Sequence, residues 1–215
     1  MSEVSYKDFD ILSEQDKAEA LALINRYDQL DKQDSCQADF MSFIKHMWPE
    51  FIEGRHHKII ADKFNRIADG KLKRLIVCLP PRHSKSEFAS TFFPAWMMGR
   101  RGDLKIIQTT HTAELAVRFG RKVRNLIGSE DYQHVFPELQ LQADNKSAGR
   151  WTSNQEGEFF AAGVGGAITG RGADLLVIDD PHSEQDAMSP KALESAYEWY
   201  TSGPRQRLQP GGIIV

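Results

Sequence analysis

Two short stretches hold residue types that chemistry requires. The first, "RLIVCLPPRHSKSEFAS" at residues 74–90, runs from apolar residues through a tight turn into Lys-Ser at the start of a helical pattern. That is the layout of a phosphate-cradling loop, whose usual form is G-x-x-x-x-G-K-[ST]. Here Leu79 stands in the first glycine's place and Ser84 in the second's. A cradle needs inward N–H groups, a helix N-terminus behind them and a lysine on the outer phosphates. Pro80 and Pro81 donate nothing but fix φ at the loop entry, which leaves the N–H groups of Arg82, His83, Ser84, Lys85 and Ser86 as donors. Ser84 is small enough for a phosphate to approach, though less freely than glycine. On this reading Lys85 meets the outer phosphates and the Ser86 hydroxyl ligates Mg²⁺. The alternative is a strand-to-helix turn capped by Ser84, with Arg82 and Lys85 simply solvated.

The second stretch, "DLLVIDDPH" at residues 174–182, is an apolar strand ending in two carboxylates. In that layout Asp179 holds the magnesium shell and Asp180 polarises an attacking water. Taken alone it is also an ordinary Asp-Asp-Pro turn. Both motifs in this order, each on an apolar run, favour phosphoryl chemistry over coincidence.

Elements able to position such residues are legible around them. Ser13 with Asp16 reads as a helix start, followed by Leu23, Ile24, Tyr27 and Leu30 at helical spacing and a stop in "DKQDSCQ". Phe40, Phe43, Ile44 and Met47 form a second stripe ending before Pro49. A third helix over "RHHKIIADKFNRIAD" buries Ile59, Ile60, Phe64 and Ile67 and ends at Gly70. The runs "LIVCL", "LKII" and "LLVI" read as strands buried on both faces of a parallel sheet. Helical stripes follow the first two, Phe88, Phe92, Trp96 and Gly99 and then Leu115, Phe119, Val123 and Leu126, so the fold class is α/β. "RWTSNQEGEFFAAGV" reads as a hairpin, "KALESAYEWYTSGPRQRL" as a late helix, and "GGIIV" as the start of a strand cut at residue 215, so we expect a fragment.

Composition narrows the class. The chain has 215 residues, 40% of them hydrophobic and 27% charged, enough for one well-buried domain with a small appendage. The acidic start "MSEVSYKDFDILSEQDK" has no basic-then-apolar layout, so no signal peptide is expected, and nothing reads as a membrane span. The only cysteines are Cys36 and Cys78; the latter, inside an apolar run, reads as a small buried hydrophobe, and the pair suits a reducing compartment. A net charge of -3 excludes coating nucleic acid by bulk charge and leaves room only for a local basic patch. Arg118, Arg121, Lys122 and Asn125 on one helix face, with Lys146 and Arg150, are candidates for such a patch or a solvated surface.

"RHHKIIADKF", "RLIVCLPPRHSKSE", "GRGADLLVIDDP" and "RLQPGGIIV", in that order over residues 55–215, resemble the N-terminal packaging ATPase domain of the tailed-phage terminase large subunit. "PPRHSKS" is similar to the variant Walker A of these motors, which keeps a basic residue in the loop, here Arg82. The resemblance implies a P-loop NTPase of the additional-strand (ASCE) type, with a mostly parallel central sheet flanked by helices. It places residues 1–50 as an N-terminal helical extension and 51–215 as the ATPase core, truncated at its C-terminal edge. "LKIIQTT" fits the strand expected between the Walker A and Walker B strands.

Also implied are ATP and Mg²⁺, a homo-oligomeric ring when assembled and a monomer in isolation. Double-stranded DNA, a portal protein and a small terminase subunit are the implied partners, in the host cytoplasm and without a membrane. Arg171 in "TGRGAD" takes the place of an arginine finger acting on a neighbouring subunit, or is a plain loop arginine. His57, with His56, falls near the adenine pocket; as adjacent helix residues the two are expected to point apart and to make no metal site. Where the family often has glutamate after the Walker B aspartate this chain has Asp180, so either Asp180 or Glu184 is the catalytic carboxylate. The family's nuclease domain is absent, and the chain is not expected to cut DNA. Two further readings remain: half of a helicase-type translocase, which needs a second RecA-like domain, and a degenerate P-loop module that binds without turnover.

Overall fold

The computed structural model describes residues 13–168 and 170–215, without the side chains of 143–146; residues 1–12 of the acidic start, Thr169 of the "TGRGAD" loop and the Lys146 side chain lie outside the described residues. Helix α1, Glu14–Ala38, starts at Ser13, whose hydroxyl accepts the Asp16 N–H at 3.2 Å. It runs straight through "DKQDSCQ", where the sequence predicts a stop. No glycine or proline interrupts that stretch, and its last turns are tied down. Gln33 and Gln37 donate to the Val135 carbonyl at 3.2 and 2.6 Å, and Cys36 is buried. Tertiary contacts here override weak local signals.

Helix α2, Phe40–Met47, is capped by the Asp39 carboxylate, which accepts the Ser42 N–H at 2.7 Å. Helix α3, Arg55–Ala68, is followed by Gly70 at φ 73°, a left-handed turn that glycine adopts without strain. Ile60, Phe64 and Ile67 are buried as expected, but Ile59 is 53% exposed because it sits about 100° round the helix from Ile60. Phe40 meets the rings of Phe64, Phe88, Phe93 and Trp96 edge-on, with centroids 5.0, 5.6, 5.9 and 5.4 Å away. Residues 36–47 therefore share one aromatic core with the helix that follows the loop.

That helix opens as a π-helical turn, Glu87–Phe92, and continues as α4, Phe93–Arg100. Next come β1 (Lys105–Thr110), α5 (Ala113–Ile127), a short α6 (Glu130–Val135), β2 (Leu141–Lys146), β3 (Arg150–Ser153) and β4 (Glu158–Gly163). Strand β5 (Ala173–Ile178), a one-turn α7 (Glu184–Ala187), α8 (Pro190–Ser202) and β6 (Leu208–Ile214) complete the chain. The sheet order is β2-β3-β4-β1-β5-β6. Strand β1 is parallel to β4 and β5, β5 is parallel to β6, and β2-β3-β4 are antiparallel, so the protein is α/β with a mixed sheet. Helix α5 and the π-helical turn cover one face; Tyr200 of α8 packs against Ile107, Ala173 and Leu176 on the other. Strand β2, mostly polar, and the short helices α6 and α7 carry no apolar periodicity to be read from sequence.

Two expectations fail around the loop. "LIVCL" is not a strand: Arg74 alone forms a parallel bridge to Ile214, with Leu75 N–H donating to the Ile214 carbonyl at 3.0 Å. Among the described residues it pairs with β6 alone, so Leu75, Val77 and Leu79 pack inward while Ile76 is 90% exposed and Cys78 is exposed, not buried. In space, moreover, the strand between residues 74–75 and β5 is β6; β1, which carries "KIIQTT", pairs on β5's far side. No helix among the described residues is long and apolar enough to cross a membrane.

Candidate active site

Strand β5 delivers Asp179 and Asp180 at its C-terminal end, beside the loop. Asp179 is 6% exposed, its N–H donates to the Thr109 carbonyl at 2.9 Å, and its Oδ2 accepts the Ser90 hydroxyl at 2.9 Å. Asp180 turns outward at φ 45°, a left-handed conformation, with His111 N–H donating to its carbonyl at 3.2 Å. Lys85 lies between the two: Nζ is 3.4 Å from Asp179 Oδ1 and forms a closer ion pair with Asp180 Oδ1. Burial works against the Lys85 ammonium, but the Asp180 hydrogen bond and the charge of both aspartates outweigh it and hold Lys85 above the ordinary lysine value.

The loop solves its missing glycines by strain. Arg82 and Ser84 sit at φ 63° and 61°, in the left-handed region that glycine fills freely. Each such residue costs on the order of 1 kcal/mol, which the surrounding structure must offset. The ring N–H of His83 helps by donating to the Pro81 carbonyl at 2.8 Å. The N–H groups of Ser84, Lys85 and Ser86 donate to no carbonyl among the described residues, while the Ser84 carbonyl accepts the Phe88 N–H at 2.9 Å. Pro81, Arg82, Ser84, Lys85, Ser86 and Asp180 line a crevice of about 450 Å³. Glu87 lines it too, so the opening carries the Lys85 ammonium, the Arg82 guanidinium and the Asp180 and Glu87 carboxylates, with the buried Asp179 behind Lys85 rather than on its wall. With the loop N–H groups these form a donor set suited to a phosphate chain with a hard cation.

Beside the loop, His57 is buried and caps α3 backwards, its Nδ1 accepting the Gly54 N–H at 2.9 Å. Its ring stacks on Phe88 at 5.1 Å, and the His56 ring is 3.8 Å away and 5.4 Å from His83. The two adjacent histidines therefore do not point apart: His57 curls back onto the helix N-terminus and His56 folds over Gly54. No group of three His, Cys, Asp or Glu able to hold a metal occurs among the described residues. Burial, followed by the neighbouring His56 charge, lowers the His57 pKa below the ordinary histidine value.

The other candidates lie apart from this cluster. Arg171 pairs with Glu158 and stacks on Phe160 with its guanidinium carbon 4.1 Å from the ring centre. It precedes β5 whereas Asp179 follows it, and six strand residues put them about 20 Å apart. Glu184 is exposed at the first turn of α7, with no hydrogen bond or ion pair to Lys85, Asp179 or Asp180 among the described residues. Lys122 is engaged by Glu87 and Arg150 by Glu158 at 3.3 Å, so of the α5 basic face Arg118 and Arg121 remain exposed beside Asn125. Ser90 was not singled out by sequence; its signal was a serine one turn beyond Ser86. No protein-family model matches the chain, and the search of curated proteins gives no match.

Proposed function

We propose that the chain is the ATPase domain of a viral DNA-packaging motor, hydrolysing ATP to move double-stranded DNA into a procapsid. The observation that carries this reading is Lys85 held between Asp179 and Asp180 at the mouth of a loop whose Ser84, Lys85 and Ser86 N–H groups donate to no carbonyl among the described residues. In the proposed reaction a water attacks the γ-phosphorus, the bond to the bridging oxygen breaks, ADP leaves, and Asp180 receives the water's proton. Lys85 leaves Asp180 for the outer phosphates, which frees that carboxylate for the water. Ser86 and Asp179 would hold Mg²⁺, which neutralises charge on the phosphate oxygens. Arg82 is at the crevice rim, suited to the same charge. His57 would border the adenine. The position of β6 between β5 and residues 74–75 agrees with an additional-strand ATPase. The packaging role itself rests on the terminase resemblance, as do the ring, the portal protein, the small terminase subunit and the host cytoplasm.

Magnesium-ATP should raise the melting temperature of the wild-type protein, by the equivalent of about 2.7 kcal/mol at a hundredfold excess over Kd. Lys85→Ala should lose that rise, while its apo melting point falls because the buried Asp179 is left without its cation. Equal nucleotide stabilisation in Lys85→Ala would sink the reading. A second reading, binding without turnover, draws on the strained non-glycine positions Arg82 and Ser84; nucleotide stabilisation with no phosphate release from the assembled motor would favour it.

A further inference from the structure

We propose that Ser90 is a positioning residue for Asp179, setting which carboxylate oxygen faces Lys85; this rests on the nucleotide reading above. Ser90 is fully buried and donates to Asp179 Oδ2 at 2.9 Å, while Oδ1 is the oxygen 3.4 Å from Lys85. A carboxylate rotates readily about its last bond, so an aspartate with neither oxygen anchored presents both in turn. With Oδ2 anchored, Oδ1 is held toward the loop. The choice of donor is specific. Thr91, the next residue, and Gln108, opposite Val177 on the neighbouring strand, are both buried, and Thr91 Oγ1 and both Gln108 amide atoms have no hydrogen-bond partner among the described residues. Ser90 stands in the middle of the π-helical turn Glu87–Phe92, a rare geometry that is frequent at functional sites. That turn joins the end of the loop to α4, so Lys85, Ser86 and Ser90 are delivered by one continuous piece of backbone. A hydrogen bond that merely satisfied a buried carboxylate would affect folding alone. A positioning bond also affects the metal, since residues orienting a ligand typically change metal affinity by about 10- to 100-fold.

The test is a magnesium titration at fixed ATP, read by melting temperature, in the wild type, Ser90→Ala and Ser90→Thr, with apo melting points and an ATP-plus-EDTA arm alongside. Ser90→Ala should need about tenfold more magnesium for half the stabilisation, with its EDTA arm unchanged, and Ser90→Thr, which keeps the hydroxyl, should return toward wild type. A Ser90→Ala midpoint equal to wild type overturns the proposal even if its apo melting point falls, since that pattern is a purely structural role. If the alanine variant does not fold, Ser90→Cys, near in size and a weak donor, is held to the same criterion. Wild type giving no stabilisation by magnesium-ATP overturns the nucleotide reading and this proposal with it, an outcome distinct from an unchanged midpoint in a binding protein.

Discussion

At the scale of single residues, the site is a set of charges held in mutual check. Lys85 occupies the space between two aspartates, so phosphate binding has to exchange an aspartate partner for a phosphate one. Asp180→Asn removes the closer partner without altering shape. It is expected to retain or tighten nucleotide binding and to slow hydrolysis in the assembled motor by about 10²- to 10⁴-fold, the usual worth of a general base. Binding calorimetry and phosphate release measure the two halves; full turnover in this variant would move the base to Glu184 or elsewhere. His57 supplies a pH prediction. Its folded-state pKa lies below the 6.5 of the unfolded chain, so stability from keeping it neutral is complete above 6.5 and is lost as pH falls below that value. The melting temperature of wild type should therefore fall more steeply between about pH 7 and pH 5.5 than that of His57→Gln; parallel curves would remove His57 as the cause.

At the scale of elements, one aromatic core ties the N-terminal helices to the Lys85 loop. Phe40 of α2 touches both Phe88, in the π-helical turn, and Phe64 of α3, and His57 of α3 stacks on the same Phe88. The strain at Arg82 and Ser84 is offset by this packing immediately behind the loop. Phe40→Ala should cost about 3–5 kcal/mol, because a ring meeting four others leaves a cavity that cannot collapse fully. A urea midpoint shift far below that range would mean α2 packs only loosely. Much of this level was legible: helical stripes in α2, α3 and α5 follow the apolar spacing, and β1, β4 and β5 follow their apolar runs. The long α1 and the missing strand at "LIVCL" were not. In α1 the deciding bonds run from Gln33 and Gln37 to Val135, about a hundred residues away, beyond any local pattern.

At the scale of the whole molecule, Arg171 and the Lys85 site sit at opposite ends of β5, about 20 Å apart by strand length. Arg171 therefore has no route to the phosphates of its own subunit. It either serves a neighbour after releasing Glu158 or ties the segment before β5 to β4 across the end of β1. Mixing the inactive full-length variants Arg171→Ala and Lys85→Ala separates these roles. An intact Lys85 site beside an intact Arg171 of the next subunit should recover part of an effect worth about 10³- to 10⁵-fold when supplied in trans. No recovery at any ratio, where mixed rings are seen to form, would leave Arg171 as a structural ion pair, and the Arg171→Ala melting point would then carry its whole effect.

The order of motifs, the α/β class and the pairing of a lysine loop with an acidic strand end were written in the sequence, because residue type and spacing along one element are local properties. Asp179, Asp180, Lys85 and Ser86 needed no fold to be named. What only the tertiary structure decided is adjacency: that Lys85 bridges both aspartates, that Ser90 and not Ser86 bonds Asp179, that β6 and not β1 lies between β5 and residues 74–75, and that Arg171 belongs to Glu158. These are contacts between segments tens of residues apart, set by how strands order in the sheet and how helices cross it. Even the backbone of the loop belongs to this group. Left-handed φ at Arg82 and Ser84 runs against local preference, and only packing from the rest of the chain sustains it.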